Sequence, residues 1–207
     1  LAFVINLGIP KNFSEKWILK FYNGMMKLAS KYNVSCLGGD ISGAKEFFAS
    51  ISILGEAGTK TVLRSGAKTG EWIGVTGKLG GSILGRHASF EPRVQEGKVL
   101  ADFGVSSMID ISDGLLQDLG HILKASNAAA EIELTRVPKR PWVSLKHALT
   151  DGEDFELLFT LPAELKPQLD KAWKIKFPQT RLSWIGRIRR GKRVAFREKG
   201  KPARLRV

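Results

Sequence analysis

Cysteine is almost absent: Cys36 stands alone among 207 residues, so no disulfide can form within the chain. A cytoplasmic setting is the expectation that follows. No run of about 18 apolar residues occurs, which excludes a membrane-spanning helix. Residues 1–13, LAFVINLGIPKNF, carry no basic leader and no small-residue cleavage site, so no signal peptide is expected. They open without Met and read as a strand, which suggests a chain that begins inside a larger protein. Histidine is scarce too. His87, His121 and His147 show no ligand spacing, which argues against zinc. The Gly-x4-Gly-Lys-Ser/Thr pattern is missing, so there is no P-loop. No internal repeat appears.

Positive charge, by contrast, is abundant. The formal net charge is +13, but residues 186–207 hold ten Lys or Arg against one Glu. That end supplies +9 and leaves +4 for the other 185 residues. A basic end without interleaved aromatics favours a solvated hairpin and tail over a nucleic-acid arm. The hydrophobic share, 43%, is enough for one large domain or two small ones with real cores.

Periodicity divides the chain into elements. Residues 1–9 form an apolar strand that Pro10 ends. Ser14 is suited to cap a helix over residues 15–31, with Trp17, Ile18, Phe21, Met25 and Leu28 as its apolar stripe. VSCL, at 34–37, reads as a buried strand entering GGDIS, and KEFFASISILGEA as another strand. Near residue 57 the composition turns Gly-, Thr- and Lys-rich, which marks a boundary. Beyond it come a strand at 72–77, a helix at about 114–126, a strand in AAAEIEL, a strand at 156–162, and a helix in AELKPQLDKAWKI. LSWIGRI and RVAFRE flank RRGK as an expected hairpin. The sum is α+β, two-domain, with a mixed and mostly antiparallel sheet: residues 1–57 and 58–207.

Three acidic clusters invite chemistry. In MIDISDGLLQDLGHILKAS, Asp110, Ser112 and Asp113 fall within four positions at the mouth of a helix. Asp113 alone suits the N-cap. Asp110 does not, and two close carboxylates repel unless a cation lies between them. Hard oxygen ligands of this kind suit Mg²⁺ with phosphate oxygens. In CLGGDIS, Gly38 and Gly39 precede Asp40 and fit either a plain turn or a backbone that approaches phosphate. In LTDGEDFELLF, Asp151, Glu153 and Asp154 crowd a strand mouth. Two Gly-rich stretches, one holding Arg64 and Lys68 and the other Gly77, Gly80, Gly81 and Gly85, are a weak polyphosphate signal. Cys36 reads as a core thiol. Carboxylate-held Mg²⁺, Gly-rich backbone and an arginine are the parts of phosphoryl transfer without a P-loop.

The order FYNG, CLGGDIS, RSGAKTGEWIGVTGKLG, HASFEPRVQEG, IDISDGLLQDLGHILKAS and DGEDFELLFTLP resembles the thiamine-monophosphate kinase family. That family belongs to the ATP-binding superfamily of aminoimidazole ribonucleotide synthetase. The resemblance covers residues 1 to about 190. It implies Mg²⁺-dependent transfer of the ATP γ-phosphoryl group to thiamine monophosphate, giving thiamine diphosphate. Carried over motif by motif, Asp40, Asp110 and Asp113 would bind the metal. Tyr22, Gly39, Asp40, Arg64 and Ser112 would contact ATP, and Glu153 the thiamine substrate. No side chain is needed as a nucleophile. The fold implied is the latter half of an N-terminal α/β domain, pairing with a second subunit as a homodimer, then an α+β domain. The family's N-terminal third, with its Gly-Asp-Asp segment, and its aromatic-rich C-terminal end are absent here, so the chain is expected to be a fragment or a shortened relative, incomplete alone. Asp151 stands where the family usually has Gly, and φ > 0 strain is expected there. Two other readings stand beside this one: a sibling acting on another phosphoryl acceptor, and a non-catalytic module whose basic tail binds RNA.

Overall fold

The structure is a computed structural model describing residues 1–56, 58 and 60–204. Its packing divides the chain into two compact units, Leu1–Thr59 and Lys60–Val207. Ala57, where the composition shifts, lies outside the described residues.

In the first unit, β1 (Ala2–Ile9) is followed by α1 (Glu15–Lys31), β2 (Ser35–Gly43) and β3 (Phe48–Leu54). The sheet order is β2-β1-β3, with β2 parallel and β3 antiparallel to β1. The helix begins where its cap predicts: the Ser14 side chain accepts the Trp17 N–H at 3.3 Å. Glu15 in the first turn and Lys31 in the last suit the helix dipole. Alternation along β1 buries Phe3, Ile5 and Leu7, and Phe21, Tyr22 and Met25 pack on them. Trp17 and Leu28 of the expected stripe are exposed instead. β2 is not the buried strand expected: only Cys36 is even partly covered. GGDIS also continues the strand rather than turning. A bulge opposite Phe3 and Val4 absorbs Leu37, and a Cβ on Gly39 would overlap the Ile5 carbonyl oxygen.

The second unit holds β4 (Trp72–Thr76), α2 (Val94–Phe103), β5 (Ser107–Asp110), α3 (Leu115–Ser126), β6 (Ala129–Glu133), α4 (Leu145–Thr150), β7 (Leu157–Leu161), α5 (Lys166–Lys176), β8 (Leu182–Arg189), β9 (Val194–Glu198) and β10 (Lys201–Ala203). They form a seven-stranded sheet in the order β10-β9-β6-β8-β4-β7-β5. Every pairing is antiparallel except β6 with β9. Period-two alternation feeds two cores. Ile73, Val75, Leu158 and Ile185 meet α3 and α4 through Leu115, Leu119 and Leu149. Phe159 and Leu161 meet α2 and α5 through Leu100, Leu169 and Trp173. Helices α2 and α4 have no counterpart in the sequence reading.

The expected hairpin does not form. β6 lies between β8 and β9, and its Glu131 pairs with Arg189 at 2.8 Å and Arg197 at 2.7 Å. These arginines, Arg189 first, hold the Glu131 carboxyl below its ordinary pKa. The tight turn is instead between β9 and β10. Among the described residues, no helix is long and apolar enough to cross a membrane.

Candidate functional site

β5 is an edge strand, and the segment that precedes β4 lies along its free side: Met108 N–H donates to the Leu63 carbonyl at 3.0 Å. That contact sets Arg64 beside Asp110. Both line one open cleft of about 560 Å³, walled by Met108 and Ile109 of β5 and Ala125 of α3. Both are exposed, and among the described residues neither side chain has a hydrogen bond or ion pair.

From Asp110 the chain turns into α3 through Ile111, Ser112, Asp113 and Gly114. Gly114 has φ 110°, and a Cβ there would sit 2.8 Å from the Thr150 carbonyl oxygen, so only glycine fits the turn. Asp113 was the expected N-cap, but Gly114 holds that place and no side chain caps it. The loop N–H groups go instead to Asp118, one turn into α3. Its Oδ2 accepts from Ser112, Asp113 and Gly114, each at 3.1 Å. Asp118 is buried, and burial raises its pKa; the Asp113 N–H opposes that rise, and the charges of Asp113 and Asp110 add to it. Asp113 is thereby released from capping. It faces solvent, accepts among the described residues only from Gln117 Nε2 at 3.3 Å, and stands 4.0 Å from His121 Nε2. Nothing in the sequence pointed to Asp118's role, and His121, set aside for lack of ligand spacing with the other histidines, stands here beside acids instead. Their offsets of five and eight from Asp113 put all three at one end of the helix, with ligand atoms within 4.8 Å of one another.

The acidic loop before β7 lies directly against this turn. Glu153 N–H donates to the Ser112 carbonyl at 2.8 Å, and Phe155 N–H to that of Ile111 at 2.8 Å. Glu153 itself is exposed, with φ 65°, and Phe155, stacked on Phe90 at 4.2 Å, has φ 50°. Two non-glycine residues in the left-handed region store strain next to the candidate site. The strain expected at Asp151 is not there, since its φ is −70°. Nor is its charge loose: it accepts Gly81 N–H at 3.0 Å and meets His147 Nδ1 at 2.9 Å.

The loop's other carboxylates are structural. Asp154 is buried and accepts from Gly80 N–H at 2.7 Å, Ser82 at 2.5 Å and Arg140 at 2.9 Å. Glu156 accepts from Thr76, Arg86 and Arg93, at 2.8 to 2.9 Å. Its hydrogen bond raises the Arg93 pKa against the pull of burial. The second Gly-rich stretch therefore spends its Gly80 and Gly81 N–H groups on the protein's own carboxylates, not on polyphosphate.

Three of the expected residues lie in the first unit. Tyr22 packs on the Phe3–Ile5–Leu7 core, with its ring 6.3 Å from that of Phe21. Gly39 backs onto Ile5 in β2. Asp40 pairs across the sheet with Asn6, which pairs with Ser50 on its other side, so the three share the face turned away from the buried side chains. Asp40 is exposed and accepts the Ser42 hydroxyl at 2.9 Å. The second unit thus gathers Arg64, Asp110, Ser112, Asp113 and the Glu153 backbone. Asp110, Ser112 and Asp113 carry hard oxygen donors, the atom type that Mg²⁺ takes.

Residues 47–197 match the family model for the AIR synthase related protein, C-terminal domain, and residues 1–57 match its N-terminal domain. The thiamine-monophosphate kinase of Pyrococcus horikoshii is 33% identical over 99% of this chain and 70% of its own length. The chain belongs to this family. The Rhodopirellula baltica thiamine-monophosphate kinase is 37% identical over 93% of this chain, and the chain spans 64% of the length of that relative. Among solved structures, the thiamine-monophosphate kinase of Stenotrophomonas maltophilia K279a superposes with a TM-score of 0.83 at 28% identity, covering 98% of this chain and 72% of its own. AaThiL complexed with AMPPCP and TMP superposes at 0.77 and 26% identity, covering 99% and 71%.

Proposed function

We propose that the chain carries the phosphoryl-transfer site of a thiamine-monophosphate kinase, moving the ATP γ-phosphoryl group onto thiamine monophosphate. One observation carries most weight. In a unit whose buried carboxylates are all engaged, the Asp110 and Asp113 carboxylates stay exposed at the end of β5 and in the turn after it, and among the described residues Arg64 has no ion pair in the cleft it shares with Asp110. Exposed charges of both signs along one cleft suit a ligand of mixed charge. A metal-bound polyphosphate is such a ligand.

In this proposal Asp110 and Asp113 hold Mg²⁺, and Asp40, in the first unit, is assigned a metal role by family correspondence alone. Bound Mg²⁺ would neutralise charge on the phosphate oxygens. Arg64 orients the polyphosphate by charge-assisted hydrogen bonds, with Ser112 as a further nucleotide contact. Gly39 and Tyr22 are assigned nucleotide contacts by the same family correspondence. The strained Glu153 turn presents a carboxylate to the cationic thiamine substrate. The chain's part is positioning and neutralising, with no covalent intermediate on protein. Exposed Leu1, Ile51, Ile53 and Leu54 in the first unit support a homodimer formed through that unit.

A ³¹P NMR time course with Mg·ATP and thiamine monophosphate tests the activity. Growth of a thiamine diphosphate signal, absent in Asp113→Asn, is expected. The same growth in Asp113→Asn would remove the carboxylate pair from the mechanism.

A further inference from the structure

A carboxylate that accepts three consecutive backbone N–H groups on one oxygen does more than balance charge. Ser112, Asp113 and Gly114 would otherwise present a row of inward N–H groups, the kind of concavity that binds an anion. The Asp118 Oδ2 fills it, at 3.1 Å from each donor, with Asp118 about 1% exposed. The same residue is fixed from behind: its own N–H donates to the Gly114 carbonyl at 3.0 Å, and Leu115 and Leu119 on either side are fully buried. The loop is thus pinned to the core of α3 from its inner side. With its backbone donors turned inward, the flanking Asp110 and Asp113 carboxylates are left facing solvent.

We infer that Asp118 is the positioning residue of the metal site: it acts through the loop backbone to hold the Asp110 and Asp113 carboxylates outward, where a cation can reach them. This rests on the phosphoryl-transfer reading above and adds a residue to it. A helix cap would need only one or two N–H groups at the helix mouth, and the donors here come from the loop that carries the acidic side chains. Residues behind metal ligands commonly tune affinity about tenfold to a hundredfold without touching the ion.

The test uses the whole chain, with Mn²⁺ alone as the probe, read by EPR, and amide exchange of Ser112, Asp113 and Gly114 read by NMR without metal. Asp118→Leu removes the acceptor, and Asp118→Asn keeps one acceptor oxygen without the full charge. Asp118→Leu is expected to speed exchange of those three amides in the metal-free protein and to weaken Mn²⁺ binding about tenfold or more, with Asp118→Asn in between. Asp113→Asn should weaken Mn²⁺ binding while those amides stay protected. Should Asp118→Leu fail to fold, Asp118→Asn decides alone. Wild-type Mn²⁺ affinity in a folded Asp118 variant, with Asp113→Asn weakened, would overturn the positioning role and leave the metal site standing. Wild-type affinity in Asp113→Asn as well, or no Mn²⁺ binding by the unaltered chain, would overturn both.

Discussion

The two units treat their carboxylates differently. The first has one small core, Phe3, Ile5 and Leu7, under a helix with no fully buried residue, and its Asp40 lies exposed and accepts the Ser42 hydroxyl. The second covers both faces of its sheet and can keep acids dry: Asp118, Asp154 and Glu156 are buried and each accepts at least three hydrogen bonds. Burial therefore sorts the acidic residues of the second unit by task. Those inside are paid for by N–H, hydroxyl and guanidinium donors and hold loops together. Those outside, Asp110, Asp113 and Glu153, sit on the loops so held. In the first unit no such division exists, because its sheet has no second covered face.

The contrast can be broken most sharply at Glu156. Glu156→Ala strands Arg93 and Arg86 against a buried pocket and should cost about 3–5 kcal/mol, seen as loss of amide protection throughout the second unit. Asp40→Ala should change stability by no more than about 0.5 kcal/mol. Equal effects of the two would erase the distinction. Next in size is a matched pair of leucines. Leu119→Ala, at a fully buried position, should cost about 2–5 kcal/mol in urea unfolding. Leu54→Ala, 69% exposed in the first unit, should fall within about 0.5 kcal/mol. Smaller again is Ser14→Ala, which removes the α1 cap and should cost the first unit about 1 kcal/mol, with no loss of protection in the second.

The smallest effect is a pH response. The Thr135 hydroxyl, with the Gly200 and Lys199 N–H groups, brings the Glu133 pKa down from 4.5 to about 2. A carboxyl lowered in the folded state stabilises above its ordinary pKa, and that contribution fades as pH falls from about 4.5 to about 2. The Lys199 and Gly200 amide shifts in the β9–β10 turn should therefore titrate near pH 2. A midpoint near 4.5 would mean that the turn does not hold Glu133.

What the sequence disclosed follows the range of the interactions. The α1 limits, Glu15 and Lys31, were legible because cap, charge and periodicity all lie within the helix. The family motifs pointed to Arg64, Asp110 and Asp113, and packing brings Arg64 and Asp110 to one cleft. The β8–β9 relationship was misread because RRGK resembles a hairpin turn, while the strand that separates them, β6, comes from far earlier in the chain. Asp113 looked like a cap because its rival, Asp118, reaches back from inside the helix. The positive φ of Glu153 and Phe155 carries no local signal at all, since neither is glycine or asparagine; it is imposed by their bonds to Ser112 and Ile111.

The most direct test of the open carboxylate pair is a calorimetric titration of the chain with ATP, with and without Mg²⁺, repeated for Asp110→Asn and Asp113→Asn. Metal-dependent binding that weakens about tenfold or more in each variant is the expected result. Affinity that ignores Mg²⁺, or that is unchanged in both variants, would contradict the assignment of these two residues to a metal–nucleotide site.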